Sequence, residues 1–145
     1  MHLQYKNTKQ NIQAVQKRAR HAAPHLHNTL ELVYVTEGTL ELGVGQELYH
    51  LETGDMGIIF PDTIHHYQVF GADAHKIYLV NIAAGSIGYF GEELQKYAPV
   101  MPVIKRSELG EEVIHALYRM MLTQEWEFTI LQAYLQIVLA RCVPL

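Results

Sequence analysis

Three residues early in the chain have the types and the spacing for metal or polar-ligand chemistry: His25, His27 and Glu31. Side chains two apart on a β-strand share a face, so His25 and His27 point one way. Glu31 has the same parity and can face the same space. Two imidazoles and a carboxylate converging on one point suit a divalent ion such as Zn, Ni, Fe or Mn. A fourth donor, His65, ends the turn-rich stretch that starts at Gly54. Tyr67 and Val69 share a face with His65, and Tyr67 is the aromatic candidate for touching a ligand. The same groups have a second use. Imidazole and carboxylate also hydrogen-bond hydroxyls and small acids, so without metal the cluster would line a small-molecule pocket. The other role open to Tyr67 is ordinary barrel filling.

Those residues must be held by strands. From Thr29 to Ala83 the sequence is a series of short apolar runs broken by Gly, Pro and Asp. Six strands are predicted: Thr29 to Glu37, Thr39 to Val44, Glu47 to Leu51, Met56 to Phe60, His65 to Phe70 and His75 to Ala83. Spacings near ten residues indicate an antiparallel barrel or sandwich. If Glu31 faces the cavity, so do Val33 and Val35, while Leu30, Leu32 and Tyr34 form an apolar outer face that another layer must cover.

After Ala83 the period changes. Residues 84 to 102 read as a loop rich in Gly and Pro. Ser107 is the predicted N-cap of a helix with Glu108, Glu111 and Glu112 in its first turn. A second helix is predicted from Trp126 to Cys142, with Trp126 as a structural anchor and Pro144 as its stop. Its apolar stripe is too wide for one partner. Leu131, Tyr134, Leu135 and Val138 would either meet a second copy of the chain or fold onto its own barrel.

The chain has 145 residues, a formal charge of −4 and one cysteine, Cys142. That length suits a single core-bearing fold, and one cysteine excludes an internal disulfide framework; a cytoplasmic location is expected. No apolar run reaches the roughly 18 residues of a membrane span. The acidic balance argues against direct nucleic-acid binding. Only the first twenty residues lean basic, through Lys6, Lys9, Lys17, Arg18 and Arg20. They are expected to form an arm over residues 1–23, either solvated or touching DNA or the barrel.

His25, His27, Glu31 and Gly38 stand at the spacing of the first cupin motif, and the sequence resembles that superfamily. Of the second cupin motif Gly54 and His65 are kept, whereas Phe60 replaces Pro, Asp62 replaces Gly and Val69 replaces Asn. With Leu32, Tyr34, Val35, Tyr49, Leu51, Asp55, Ile58 and Pro61 added, the run is similar to the N-terminal domain of AraC-type transcription regulators. The resemblance implies a mainly β fold, a cupin jelly-roll over residues 24–102, then a dimerising antiparallel helix pair over 103–145. It implies a small-molecule effector, of sugar or small-acid class, bound in the barrel, and a homodimer. DNA would be read only by a helix-turn-helix domain expected downstream. No cofactor is required, though His25, His27, Glu31 and His65 would hold a divalent metal. The alternative is a stand-alone metal-dependent cupin enzyme, an isomerase or dioxygenase.

Overall fold

The computed structural model describes residues 11–96 and 101–143. Its first strands are β1 (Ile12–Arg18), β2 (Ala22–His25) and β3 (Thr29–Glu37), followed by β4 (Leu40–Val44) and β5 (Glu47–Leu51). Then come β6 (Met56–Ile59), β7 (His65–Gln68), β8 (Lys76–Ala83) and the short β9 (Val103–Ile104). They form a five-stranded sheet, β1-β8-β3-β6-β9, and a four-stranded sheet, β2-β7-β4-β5. Every pairing is antiparallel. The two sheets face each other as a jelly-roll barrel.

Strand parity divides the apolar residues between two cores. Val33 and Val35 pack inside the barrel with Leu40, Leu42, Leu51 and Ile59. Leu30 and Leu32, on the opposite face of β3, join a second core with Met56, Ile58, Val80 and Ile82. Helices cover that face: Leu117 and Met120, with Leu131, Leu135, Val138 and Leu139, complete the second core. The apolar outer face of β3 therefore has its covering layer.

The segment after β8 is more structured than a loop. Two 3₁₀ turns, Ala84–Ser86 and Gly88–Phe90, lead into α1 (Gly91–Lys96), and Ile87, Phe90 and Leu94 enter the second core. The expected first long helix begins later than Ser107, which sits in a 3₁₀ turn (Arg106–Glu108). Helix α2 (Glu111–Leu122) is N-capped by Gly110, with Glu111 and Glu112 at the positive end of its dipole. Helix α3 (Phe128–Cys142) runs back antiparallel, tied to α2 by an Arg141–Glu112 ion pair and by Arg119 donating to the Tyr134 hydroxyl. Two glutamines stitch α3 to the turn after β8: Gln132 donates to the Ser86 carbonyl at 2.7 Å and Gln136 to that of Ile87 at 2.8 Å. Burial pushes the Cys142 thiol up to about 11, so the single cysteine stays protonated.

Three expectations are corrected. Residues 12–18, assigned to an arm, are an edge strand paired with β8 over seven positions, with Ile12 buried. Residues 22–25 pair with β7, and β9 pairs with β6, so the barrel's strands run from Ile12 to Ile104. Lys6 and Lys9 of that arm, Pro99 of the loop and the Pro144 helix stop lie outside the described residues. Second, Leu131, Leu135 and Val138 are fully buried in their own chain, because α3 turns this stripe onto the sheet and α2. The face of α3 left to solvent carries Ile130 and Ile137, with Tyr134 half-buried. Third, Trp126 is 80% exposed and anchors nothing. It lies on the lip of a cavity of about 530 Å³ between β1 and the α2–α3 connection.

Candidate functional site

The barrel mouth is built by the ends of three strands. His25 and His65 are direct partners in the β2–β7 register, and Glu31 lies on β3 across the barrel. His25 is exposed, His27 half-buried and His65 buried, so the cluster steps inward from solvent. Ring centroids stand 4.3 Å apart for His25–His65 and 5.0 Å for His27–His65. One ligand-capable atom from each of the three imidazoles lies within 4.8 Å of the others. His66 belongs to the other face of β7, over Gly43, where a Cβ would stand 1.9 Å from its ring. His65, not His66, is the residue at the site.

Hydrogen bonds fix which nitrogen each ring presents. His25 Nδ1–H donates to the Ala23 carbonyl at 2.7 Å, and His65 Nδ1–H to the Thr63 carbonyl at 2.9 Å. A carbonyl only accepts, so both Nδ1 atoms carry the proton, and in the neutral rings Nε2 is left as a lone pair. His65 Nε2 is buried with no hydrogen-bond partner among the described residues. His27 is held the other way: its Nε2–H donates to Glu31 Oε1 at 3.2 Å, while Nδ1 accepts from the Thr29 hydroxyl.

Glu31 is the buried centre. Its Oε2 accepts a short hydrogen bond from the Tyr67 hydroxyl and lies 3.7 Å from His65 Nε2, a charge contact rather than a hydrogen bond. Burial works to raise the Glu31 carboxyl. Interaction with His65, the Tyr67 hydroxyl and His27 more than offsets it and holds Glu31 below the usual carboxylate range. Burial works to lower the His65 imidazole, yet Glu31 and the Thr63 carbonyl hold it above its ordinary value. Tyr67 rises well above its ordinary value through burial and the carboxylate beside it, so it stays a donor.

All five sequence-predicted site residues line one mouth, but only the three imidazoles bring ligand atoms within 4.8 Å of one another, while Glu31 contacts His27 and His65. Their chemistry fits a divalent cation: the buried, unpartnered Nε2 of His65 is a ready ligand, and the carbonyl-bound Nδ1–H groups are the outer partners that ligating histidines use. Thr29 was missed from sequence, although strand parity alone places it beside His27. The roles of Ala23 and Thr63 use backbone oxygens, and no residue type announces them.

A family profile described as the AraC-like ligand binding domain matches residues 12–133. The chain belongs to that family. No curated protein sequence matches it. Among solved structures, an RmlC-like cupin from Shewanella frigidimarina shares 20% identity over 50% of this chain and 67% of its own, with a TM-score of 0.44. A double-stranded β-helix protein from Klebsiella pneumoniae subsp. pneumoniae shares 23% identity over 50% and 68%, with a TM-score of 0.46. For KdgF from Halomonas sp. the figures are 27% identity over 49% and 68%, with a TM-score of 0.43.

As an AraC-like ligand-binding domain, the chain is a small-molecule-sensing unit of a family tied to transcription regulation. Its departure at Asp62 is conformationally conservative. Asp62 has φ +61° and donates its N–H to the His27 carbonyl at 2.9 Å. Aspartate is one of the few residue types besides glycine that tolerate this left-handed backbone. No helix among the described residues is long and apolar enough to cross a membrane.

Proposed function

We propose that this domain binds a small effector, of sugar or small-acid class, at the mouth formed by His25, His27, Glu31, His65 and Tyr67. Occupancy controls a DNA-binding domain expected downstream. The carrying observation is the family match together with a polar cluster that steps from exposed His25 to buried His65. Switching needs an effector that binds one arrangement of the domain more tightly than another. Dimerisation through the C-terminal helices would use the Ile130, Tyr134 and Ile137 face, since Leu131, Leu135 and Val138 are taken. Three imidazoles and Glu31 would hold a divalent metal, which when bound would polarise a ligand oxygen. Glu31 would orient His27, and the Ala23 and Thr63 carbonyls would aim the other two rings.

The test is a thermal-shift screen of small molecules on wild type and His27→Ala, beside elemental analysis of untagged protein. Ligands that stabilise wild type and not the variant support the site; stabilisation indifferent to the variant overturns it. Stoichiometric metal lost in His27→Ala would assign the cation.

One observation favours a second reading, a metal-dependent cupin enzyme. The free Nε2 of His65 converges with His25 as an open-sided metal site would require. Metal-dependent turnover of an isomerase or dioxygenase substrate, abolished by His27→Ala, would decide for it.

A further inference from the structure

The three imidazoles at the mouth do not lean on the same kind of partner. His25 Nδ1–H donates to the Ala23 carbonyl and His65 Nδ1–H to the Thr63 carbonyl. A carbonyl oxygen only accepts, so each of these rings, when neutral, is locked with its lone pair on Nε2. Nδ1 of His27 is bonded instead to the hydroxyl of Thr29. A hydroxyl both donates and accepts, so His27 alone of the three can exchange tautomers and keep its partner.

The tautomer it holds is the one that blocks ligation. Each Glu31 oxygen faces an imidazole Nε2: Oε1 accepts the Nε2–H of His27 at 3.2 Å, and Oε2 lies 3.7 Å from Nε2 of His65. Nε2 is therefore the nitrogen that His27 turns toward the centre, and it carries a hydrogen there. A metal ion binds imidazole only through a lone pair. Two candidate ligands, His27 and Glu31, are thus engaged with each other.

Moving that hydrogen from Nε2 to Nδ1 of the same ring lifts the block and leaves the ring's charge unchanged. The Thr29 hydroxyl then turns from donor to acceptor. Its own hydrogen is free to point elsewhere, because Thr29 also borders a recess of about 340 Å³ shared with Asn28 and Asn81. Oε1 of Glu31 is released in the same exchange, while the Tyr67 hydroxyl still holds Oε2. The His27 side chain is 32% exposed, so the hydrogen can be traded through solvent.

We infer that Thr29 is a positioning residue for a divalent cation at this mouth: its hydroxyl lets His27 pass from the Nε2–H tautomer, paired with Glu31, to the Nδ1–H tautomer that offers Nε2 as a ligand. The inference rests on the metal reading of the site. It goes further by making cation capture depend on a side chain that would not itself touch the metal.

Proton–nitrogen correlation NMR of the histidine rings tests it on the full chain, with zinc as the probe, at pH ~8 where ordinary imidazoles are neutral. His27 is assigned by the signals lost in His27→Gln. Before zinc, His27 is expected as the Nε2–H tautomer; zinc should convert it to Nδ1–H. Thr29→Val, close to threonine in shape, removes the acceptor for Nδ1–H and should weaken zinc binding in calorimetry by about 10–100-fold. Thr29→Ser should restore both the affinity and the conversion. A hydroxyl with a merely structural role would lower the melting temperature in Thr29→Val and leave zinc affinity and the tautomer change as in wild type, which overturns the inference. So does a His27 that carries its hydrogen on Nδ1 before zinc is added. Zinc uptake that Thr29→Val leaves intact sinks the tautomer exchange alone, whereas no uptake by wild type sinks the metal reading and the inference with it.

Discussion

Asp55 accepts the backbone N–H of Arg106 at 2.7 Å, joining the turn before β6 to the segment that leads into α2. The same carboxylate accepts the Glu52 N–H at 2.8 Å and the Lys105 ammonium at 3.2 Å. Barrel and helices are thereby clasped at a point far from the histidines. The sequence marks Asp55 as a turn and motif residue but does not announce this clasp, since Lys105 and Arg106 lie some fifty positions away.

Asp55→Ala should cost about 3 kcal/mol, because three donors lose a charged acceptor. Urea denaturation followed by far-UV circular dichroism measures this. A loss below about 1 kcal/mol would show the clasp to be superficial.

The same group sets an acid limit. Burial works to raise the Asp55 carboxyl, but the Glu52 and Arg106 N–H groups and Lys105 hold it below the ordinary aspartate range. A depressed folded value means that its stabilisation is complete above the unfolded value of about 3.9 and is lost as pH falls through the folded value. The melting temperature of wild type should therefore drop more steeply below pH 4 than that of Asp55→Ala. Parallel curves would refute the assignment.

Leu135 is fully buried between sheet and helices. Leu135→Glu should fail to yield folded protein, and Leu135→Ala should cost about 2–5 kcal/mol. Ile130→Glu, on the exposed face, should leave the melting temperature within a few degrees. If α3 dimerises the chain, Ile130→Glu should give monomers in sedimentation, and a persistent dimer would place the interface elsewhere.

Tyr67→Phe removes a hydroxyl that donates to buried Glu31 and should cost about 1.5–3 kcal/mol. Chemical denaturation reads the loss. Equal stability in variant and wild type would show that another donor replaces it.

Gly57 sits where side chains crowd the barrel interior: a Cβ there would stand 2.9 Å from Leu42 Cδ2 and 3.0 Å from Val33 Cγ1. Gly57→Ala should overpack the interior and cost about 1–3 kcal/mol. A neutral result by thermal melting would mean that Leu42 has room to turn.

Periodicity found what periodicity encodes. The alternation in β3 assigned Val33 and Val35 to one core and Leu30 and Leu32 to the other, and the spacing from His25 to His65 brought the site together. Strand β1 escaped because an edge strand buries little: Ile12 is buried, whereas Gln13, Val15, Gln16, Lys17 and Arg18 are exposed, so its sequence reads like a tail. The helix stripe misled for the opposite reason. A run of leucines reports that a face is covered but not by what, and here the chain's own sheet supplies the cover.

The stitches from Gln132 and Gln136 to the Ser86 and Ile87 carbonyls have a mechanical consequence. Ser86 also holds Asn11, so strand edge, turn and helix α3 are linked in series by short polar bonds. Three weak links in series share a load, so displacing the backbone of Asn11 would strain the turn and helix α3 together.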